Sequence, residues 1–150
     1  TPLLRVLERQ AVRDGGGMNH RYNLSDQVLI KDNHIAAIGS IEKAVEMVRK
    51  SVGKTMKIEV EVETKEEFLE ALGTSADIIM LDNMNNELMK ELVEINNHSK
   101  KIEASGNMEL KRVRSVALLG VDYISVGALT HSYKSLDISL KFYKNFPRSK

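Results

Sequence analysis

The sequence predicts an α/β fold, an incomplete parallel β/α barrel. Five short apolar runs recur at near-regular spacing: residues 28–30, 58–60, 78–81, 101–104 and 123–126. Stretches with helical spacing of apolar residues separate them, which indicates a parallel sheet with crossover helices. Each run also ends in polar residues. In a parallel barrel such residues gather at the C-terminal mouth, where active sites lie.

The elements follow in order. Thr1-Pro2 reads as a helix start, with Thr1 as N-cap and Pro2 in the first turn. Leu3, Leu4, Leu7 and Ala11 mark one face of that helix, and Gly15-Gly16-Gly17 ends it. Ser40 caps a helix whose inner face is Ile41, Ala44, Val45 and Val48. Thr64 and Glu67 form a capping box before Phe68, Leu69 and Leu72. Met84, Leu88, Leu92 and Ile95 stripe the next helix. Asn107 is expected to cap another that buries Leu110, Val113, Val116 and Ala117 and closes at Gly120. The alternation of Leu136, Ile138, Leu140 and Phe142 suggests a final extended segment, although residues 141–146 also suit a helix tail.

The chain has 150 residues, enough for one domain but short of the roughly 250 of a full barrel. It begins Thr-Pro rather than with Met, so a fragment or C-terminal domain is expected over residues 1–150. The net charge is +1 with both signs interspersed, and no basic block suggests nucleic acid. No apolar run has the roughly 18 residues of a membrane helix. The absence of Cys excludes disulfides, thiolate metal sites and a Cys nucleophile, and it fits a cytoplasmic protein.

The chemistry concentrates at the strand ends. In residues 58–63, Glu59, Glu61 and Glu63 alternate with Ile58, Val60 and Val62, so the carboxylates share one face. A solvated edge strand is the plain alternative, but parallel strands are normally covered on both sides. Inward carboxylates need cations or sugar hydroxyls. Asp82 follows four apolar residues and reads either as a site residue or as a helix cap beside Asn83. Glu61 and Asp82 together suit a divalent metal or two vicinal hydroxyls, and neither has an obvious cation one turn away. Lys31 closes the first strand, as an ion-pair partner, a Schiff-base amine or an anion binder. With His20, Arg21 and His34 it makes an electropositive cluster. The three glycines before it let the backbone approach a ligand, or simply turn the chain. Ser105-Gly106-Asn107 and Val126-Gly127-Ala128, with His131 following, resemble the phosphate-binding loops after the last strands of barrels.

These motifs resemble those of the quinolinate phosphoribosyltransferase family, the carboxylating nicotinate-nucleotide pyrophosphorylases. The specific ones are Gly15-Gly16-Gly17-Met18-Asn19-His20-Arg21 and Leu29-Ile30-Lys31-Asp32-Asn33-His34. The more generic ones, in matching order, are Glu59-Val60-Glu61-Val62, Leu81-Asp82-Asn83, Glu103-Ala104-Ser105-Gly106 and residues 126–132. The resemblance implies transfer of phosphoribose from phosphoribosyl pyrophosphate to quinolinate. The products would be nicotinate mononucleotide, CO₂ and pyrophosphate, with Mg²⁺, in de novo NAD biosynthesis. It implies that His20, Arg21 and Lys31 bind quinolinate carboxylates. Glu61 and Asp82 would hold ribose hydroxyls and metal. Ser105, Gly106, Asn107, Val126, Gly127 and Ala128 would cradle phosphate, with His131 nearby. Family members often have a second small residue where Asn107 stands. The family also implies a homodimer or higher oligomer, an N-terminal domain, and a Thr-Arg-Lys-Thr motif on a first strand just before this segment. On that expectation the chain is the barrel without its first strand and is inactive alone. Rival readings are a paralogous phosphoribosyltransferase-like protein of molybdenum uptake, a Schiff-base enzyme using Lys31, and a non-catalytic phosphate-binding domain.

Overall fold

The computed structural model describes residues 1–23 and 25–142. Five parallel strands form one sheet in sequential order: β1 (Val28–Ile30), β2 (Ile58–Val62), β3 (Ile78–Asp82), β4 (Lys101–Ser105) and β5 (Tyr123–Ile124). All four neighbouring pairs are parallel. The sheet is a partial barrel, not closed among the described residues. The last strand is shorter than the apolar run at 123–126 suggests.

The helices are α1 (Arg5–Asp14), α2 (Asp32–Ile38), α3 (Ile41–Val52), α4 (Lys65–Leu72), α5 (Asn86–Asn96), α6 (Leu110–Ala117) and α7 (Ala128–His131). Local signals place most of their starts. Ser40 Oγ accepts from the Lys43 N–H at 3.3 Å. Thr64 Oγ1 accepts from the Glu67 N–H at 3.2 Å, and Glu67 Oε2 accepts from the Thr64 N–H at 3.2 Å. α2 is too short, at seven residues, to carry a helical apolar stripe of its own. It is a short helix that starts where His34 Nδ1 accepts the Lys31 N–H at 3.0 Å, and it ends at Gly39 with φ +96°.

The register divides the sheet into two faces. Ile30, Ile58, Val60, Val62, Ile79, Leu81, Ile102 and Ala104 pack with Ile41, Val45, Phe68, Met89, Leu92 and Val116 of the helices into one apolar core. The opposite face carries Leu29, Glu59, Glu61, Ile78, Met80, Asp82, Glu103 and Ser105, fixed by the two-residue alternation. This second face is where the functional groups lie.

Several expectations are corrected. The first helix begins at Arg5, not at Thr1-Pro2, and Leu3, Leu4, Leu7 and Ala11 are exposed. Its apolar stripe has no partner among the described residues, so helical spacing did not mean burial. Leu69, Ile95, Leu110 and Ala117 are likewise exposed, because each lies outside the arc that faces the sheet. Residues 133–142 contain neither helix nor strand, and Leu136, Ile138, Leu140 and Phe142 are exposed. Alternation yields a strand only where a neighbour completes the hydrogen bonds. Residues 143–146 of the helix-tail reading lie outside the described residues.

Candidate active site

Three strands end on the functional face with charged groups. Lys31 follows β1 and its Nζ lies 3.1 Å from Glu61 Oε2 on β2. A cation for Glu61 therefore exists. The neighbouring strand end supplies it, which one-dimensional spacing did not reveal. Asp82 ends β3 on the same face, paired in register with Ser105. It does not cap α5. Asn85 does, its Oδ1 accepting from the Leu88 N–H at 2.8 Å. Asp82 Oδ2 instead accepts from Asn83 Nδ2 at 2.6 Å. His34 does not join the cationic cluster as a donor through Nδ1, because that nitrogen caps α2.

The loop between α1 and β1 places His20 over the same face. His20 Nε2 lies 3.4 Å from Glu59 Oε2 and 3.7 Å from Glu103 Oε1. The side chains are 38 %, 0 % and 5 % exposed respectively, so an imidazole at the rim meets two carboxylates beneath it. Gln27 Nε2 donates to Glu59 Oε2 at 2.5 Å, and Ser125 Oγ donates to Glu103 Oε1. Glu59 Oε1 is buried with no hydrogen-bond partner. Hydrogen bonding to Glu59, joined by the Glu103 charge, raises the His20 pKa against its partial burial. Burial pushes the Glu103 carboxyl up to about 6, aided by the nearby Glu59 charge. Arg21 is partly buried and donates from Nη1 to the Gln27 carbonyl at 3.3 Å.

The loops after β4 and β5 follow neighbouring parallel strands, and the loop after β4 is tied to the end of β3. Gly106 and Asn107 both have left-handed backbone, φ +83° and +48°. Asn107 Nδ2 donates to Asn83 Oδ1 at 3.1 Å, and the Asn83 N–H donates to the Ser105 carbonyl at 3.2 Å. Asn107 is not a helix cap. The residue before α6 is Glu109. Val126 packs against the apolar core, so it can offer only backbone to a ligand. His131 Nε2 lies where it would be 3.1 Å from a Cβ at Gly127. Its Nδ1 is 2.7 Å from Ser132 Oγ.

Comparison with known proteins decides the family. The description "Quinolinate phosphoribosyl transferase, C-terminal domain" matches residues 1–141. The chain belongs to this family. It is 49 % identical over 140 residues to a probable nicotinate-nucleotide pyrophosphorylase (carboxylating) of Bacillus subtilis (strain 168), covering 93 % of this chain and 48 % of that protein. It is 46 % identical over 158 residues to the mitochondrial quinolinate phosphoribosyltransferase (decarboxylating) 2b of Nicotiana tabacum, covering 93 % and 45 %. The crystal structure of NadC from Streptococcus pyogenes superposes with a TM-score of 0.88 at 46 % identity, covering 95 % of this chain and 50 % of that one. Thiamine phosphate pyrophosphorylase from Pyrococcus furiosus, at 20 % identity and a TM-score of 0.57, shares the fold alone. The chain spans about half the length of the curated relatives it matches.

Within this quinolinate phosphoribosyl transferase domain, the sequence-predicted residues fall into three groups. Lys31 with Glu61, and Asp82, end adjacent strands on one face. His20 and Arg21 come in from the α1–β1 loop. Residues 105–107 and 126–128 end the last two strands. The sequence offers Glu59 only as one of three alternating carboxylates, of which Glu61 is preferred, and does not single out Glu103. The signal existed for Glu59, which alternates with Glu61. For Glu103 it was a lone carboxylate between Ile102 and Ala104 in a strand whose neighbours are apolar. Glu63, the third of the alternating carboxylates, is exposed beyond the end of β2.

Proposed function

We propose that the protein containing this chain transfers phosphoribose from phosphoribosyl pyrophosphate to quinolinate with decarboxylation, giving nicotinate mononucleotide, CO₂ and pyrophosphate in NAD biosynthesis. The observation that carries the reading is that two sets of charged groups, cations and carboxylates, converge at one sheet face, with Lys31 and Glu61 meeting at 3.1 Å. Cations His20, Arg21 and Lys31 come from the α1–β1 loop and the end of β1, and carboxylates Glu61 and Asp82 end β2 and β3. A dicarboxylate pyridine suits the first set, and ribose hydroxyls suit the second.

The chemistry follows from that division. Departure of pyrophosphate leaves positive charge on the ribose ring, which nearby carboxylates of Glu61 and Asp82 stabilise. Lys31, Arg21 and His20 fix the carboxylates of quinolinate so that the ring nitrogen faces C1 of the sugar. Once ribosylated, the cationic ring nitrogen stabilises the electron pair left on the adjacent carbon as CO₂ leaves, and a proton from solvent then forms the C–H bond, so no separate electron-sink cofactor is needed. Main-chain N–H groups of residues 105–107 and 126–128 hold phosphate, and an Asn at position 107 leaves main-chain contacts available. Lys31 in an ion pair has the role of a charge rather than of a free Schiff-base amine.

Mg²⁺ belongs to the proposal. Two hard carboxylate donors, Glu61 and Asp82, fit an ion that is usually held by one or two carboxylates plus substrate phosphates. When bound, it would neutralise the pyrophosphate. A cytoplasmic homodimer or higher homo-oligomer is proposed with it. No helix among the described residues is long and apolar enough to cross a membrane. The test is formation of nicotinate mononucleotide by the full-length protein given both substrates, with and without Mg²⁺. Binding of phosphoribosyl pyrophosphate without turnover would favour the non-catalytic reading instead.

A further inference from the structure

We propose that Glu59 and Glu103 are positioning residues that fix His20 from beneath, so that its ring meets a carboxylate of the bound pyridine substrate. The inference rests on the reading that His20 contacts that substrate. Glu59 and Glu103 themselves are too deeply buried to do so. Glu59 is 0 % exposed and the Glu103 side chain 5 %.

The placement of these carboxylates needs a reason. On the same face and one strand away, Ile78 and Met80 fill equivalent buried positions with apolar groups. A buried carboxylate is costly unless it is paired, and an orphaned oxygen makes it costlier. Glu59 Oε1 is such an oxygen. Two buried acids within reach of each other also repel. Stability alone would place another Met or Ile here. What the pair offers is direction. Glu59 Oε2 and Glu103 Oε1 approach the same nitrogen, His20 Nε2, from two different strands. Each acid is in turn held by a neutral donor, Gln27 on the approach to β1 and Ser125 after β5. The backbone carbonyl of Gln27 also receives Arg21. The two adjacent basic residues of the loop are thereby tied to β2, β4 and the entry to β1. A loop side chain gains the placement of a strand side chain, which a site on flexible backbone otherwise lacks.

The experiment uses the full-length protein and compares Glu59→Gln, Glu59→Met and Glu103→Gln with His20→Ala, singly and in combination. A positioning role predicts a quinolinate KM about tenfold higher in each Glu variant, with the KM for phosphoribosyl pyrophosphate within about twofold, as for loss of one charged contact. In the His20→Ala background the Glu substitutions should add nothing further. In that background, where the carboxylates have lost their partner, thermal midpoints of the Glu substitutions should equal or exceed that of His20→Ala itself, because neutral replacements remove buried charge. Lower midpoints for both Glu59→Gln and Glu59→Met in the His20→Ala background would assign the carboxylate to the fold and overturn the inference. So would losses that add to that of His20→Ala, or equal losses for both substrates. The three groups' ligand atoms lie within 4.8 Å of one another. Stoichiometric calorimetric binding of Mn²⁺ or Zn²⁺ that Glu59→Gln abolishes would therefore assign the cluster to a cation, and overturn it too. If His20→Ala itself leaves quinolinate KM unchanged while the enzyme turns over, the role of His20 in the proposed function fails, and this inference falls with it. Silent Glu variants beside an impaired His20→Ala sink this inference alone.

Discussion

The side chain of Asn83 occupies the space that a Cβ would fill at Gly106. A Cβ built there would lie 2.6 Å from the Asn83 nitrogen and from its Cγ. The contact ties the end of β3 to the loop after β4. It continues through Asn107 Nδ2 to Asn83 Oδ1, and through Asn83 Nδ2 to Asp82 Oδ2. Asn83 and Asn107 both adopt left-handed backbone, with φ +52° and +48°, where Asn is among the better tolerated residues.

Gly106→Ala should therefore be destabilising on two counts, a left-handed φ and a backbone collision. The conformational part alone costs about 1–2 kcal/mol. The collision adds to it, because the obstacle includes the Asn83 main-chain nitrogen as well as its hydrogen-bonded side chain. A thermal midpoint several degrees lower is expected, at about 2–4 °C per kcal/mol for a protein of this size or larger. A midpoint unchanged from the parent would show that the loops are not locked as described.

Glu61→Gln and Asp82→Asn should weaken phosphoribosyl pyrophosphate binding while the fold stays intact. A charged hydrogen bond contributes about 1.5–3 kcal/mol, roughly ten- to a hundredfold in affinity. Titration calorimetry on the full-length protein, with circular dichroism as the folding control, measures this. Unchanged affinity in both folded variants would make these carboxylates structural.

Lys31→Met should raise the quinolinate KM more than the KM for phosphoribosyl pyrophosphate. It also frees Glu61 from its 3.1 Å partner, so some loss on the sugar side is expected as well. Steady-state kinetics with each substrate varied in turn separates the two effects. Trapping of a substrate on Lys31 by borohydride would contradict a role by charge.

Folding stability should fall as pH rises through the range of the His20–Glu103 pair. The Glu103 pKa goes from 4.5 to about 6 on folding, so between these values the native state binds more protons than the unfolded chain. Stability is lost over that window. His20 is raised above 6.5, chiefly through Glu59, so its contribution is fully present below 6.5 and disappears as pH climbs through the folded value. Both slopes have the same sign. Thermal midpoints from pH 4.5 to pH 8 should decline less steeply in Glu103→Gln than in the parent. Parallel curves for the two proteins would remove Glu103 from the account.

The sequence by itself determined the strand order, the caps at Ser40 and Thr64, and the arrival of Lys31, Glu61, Asp82 and Ser105 at strand ends. Each is a local matter. Period-two and period-3.6 patterns set the elements, and a strand's end follows from where its apolar run stops. Only the tertiary structure decided which carboxylate meets which cation. Glu59 and Glu61 each lie between two β-branched apolar residues and share a face, yet one is buried beneath His20 and the other pairs with Lys31. That outcome depends on register between strands and on the path of the α1–β1 loop, and neither is a property of any short segment. The same holds for the exposed stripe of α1 and for residues 133–142. Their periodicity is genuine, but burial requires a surface to pack against, and the described residues offer none there.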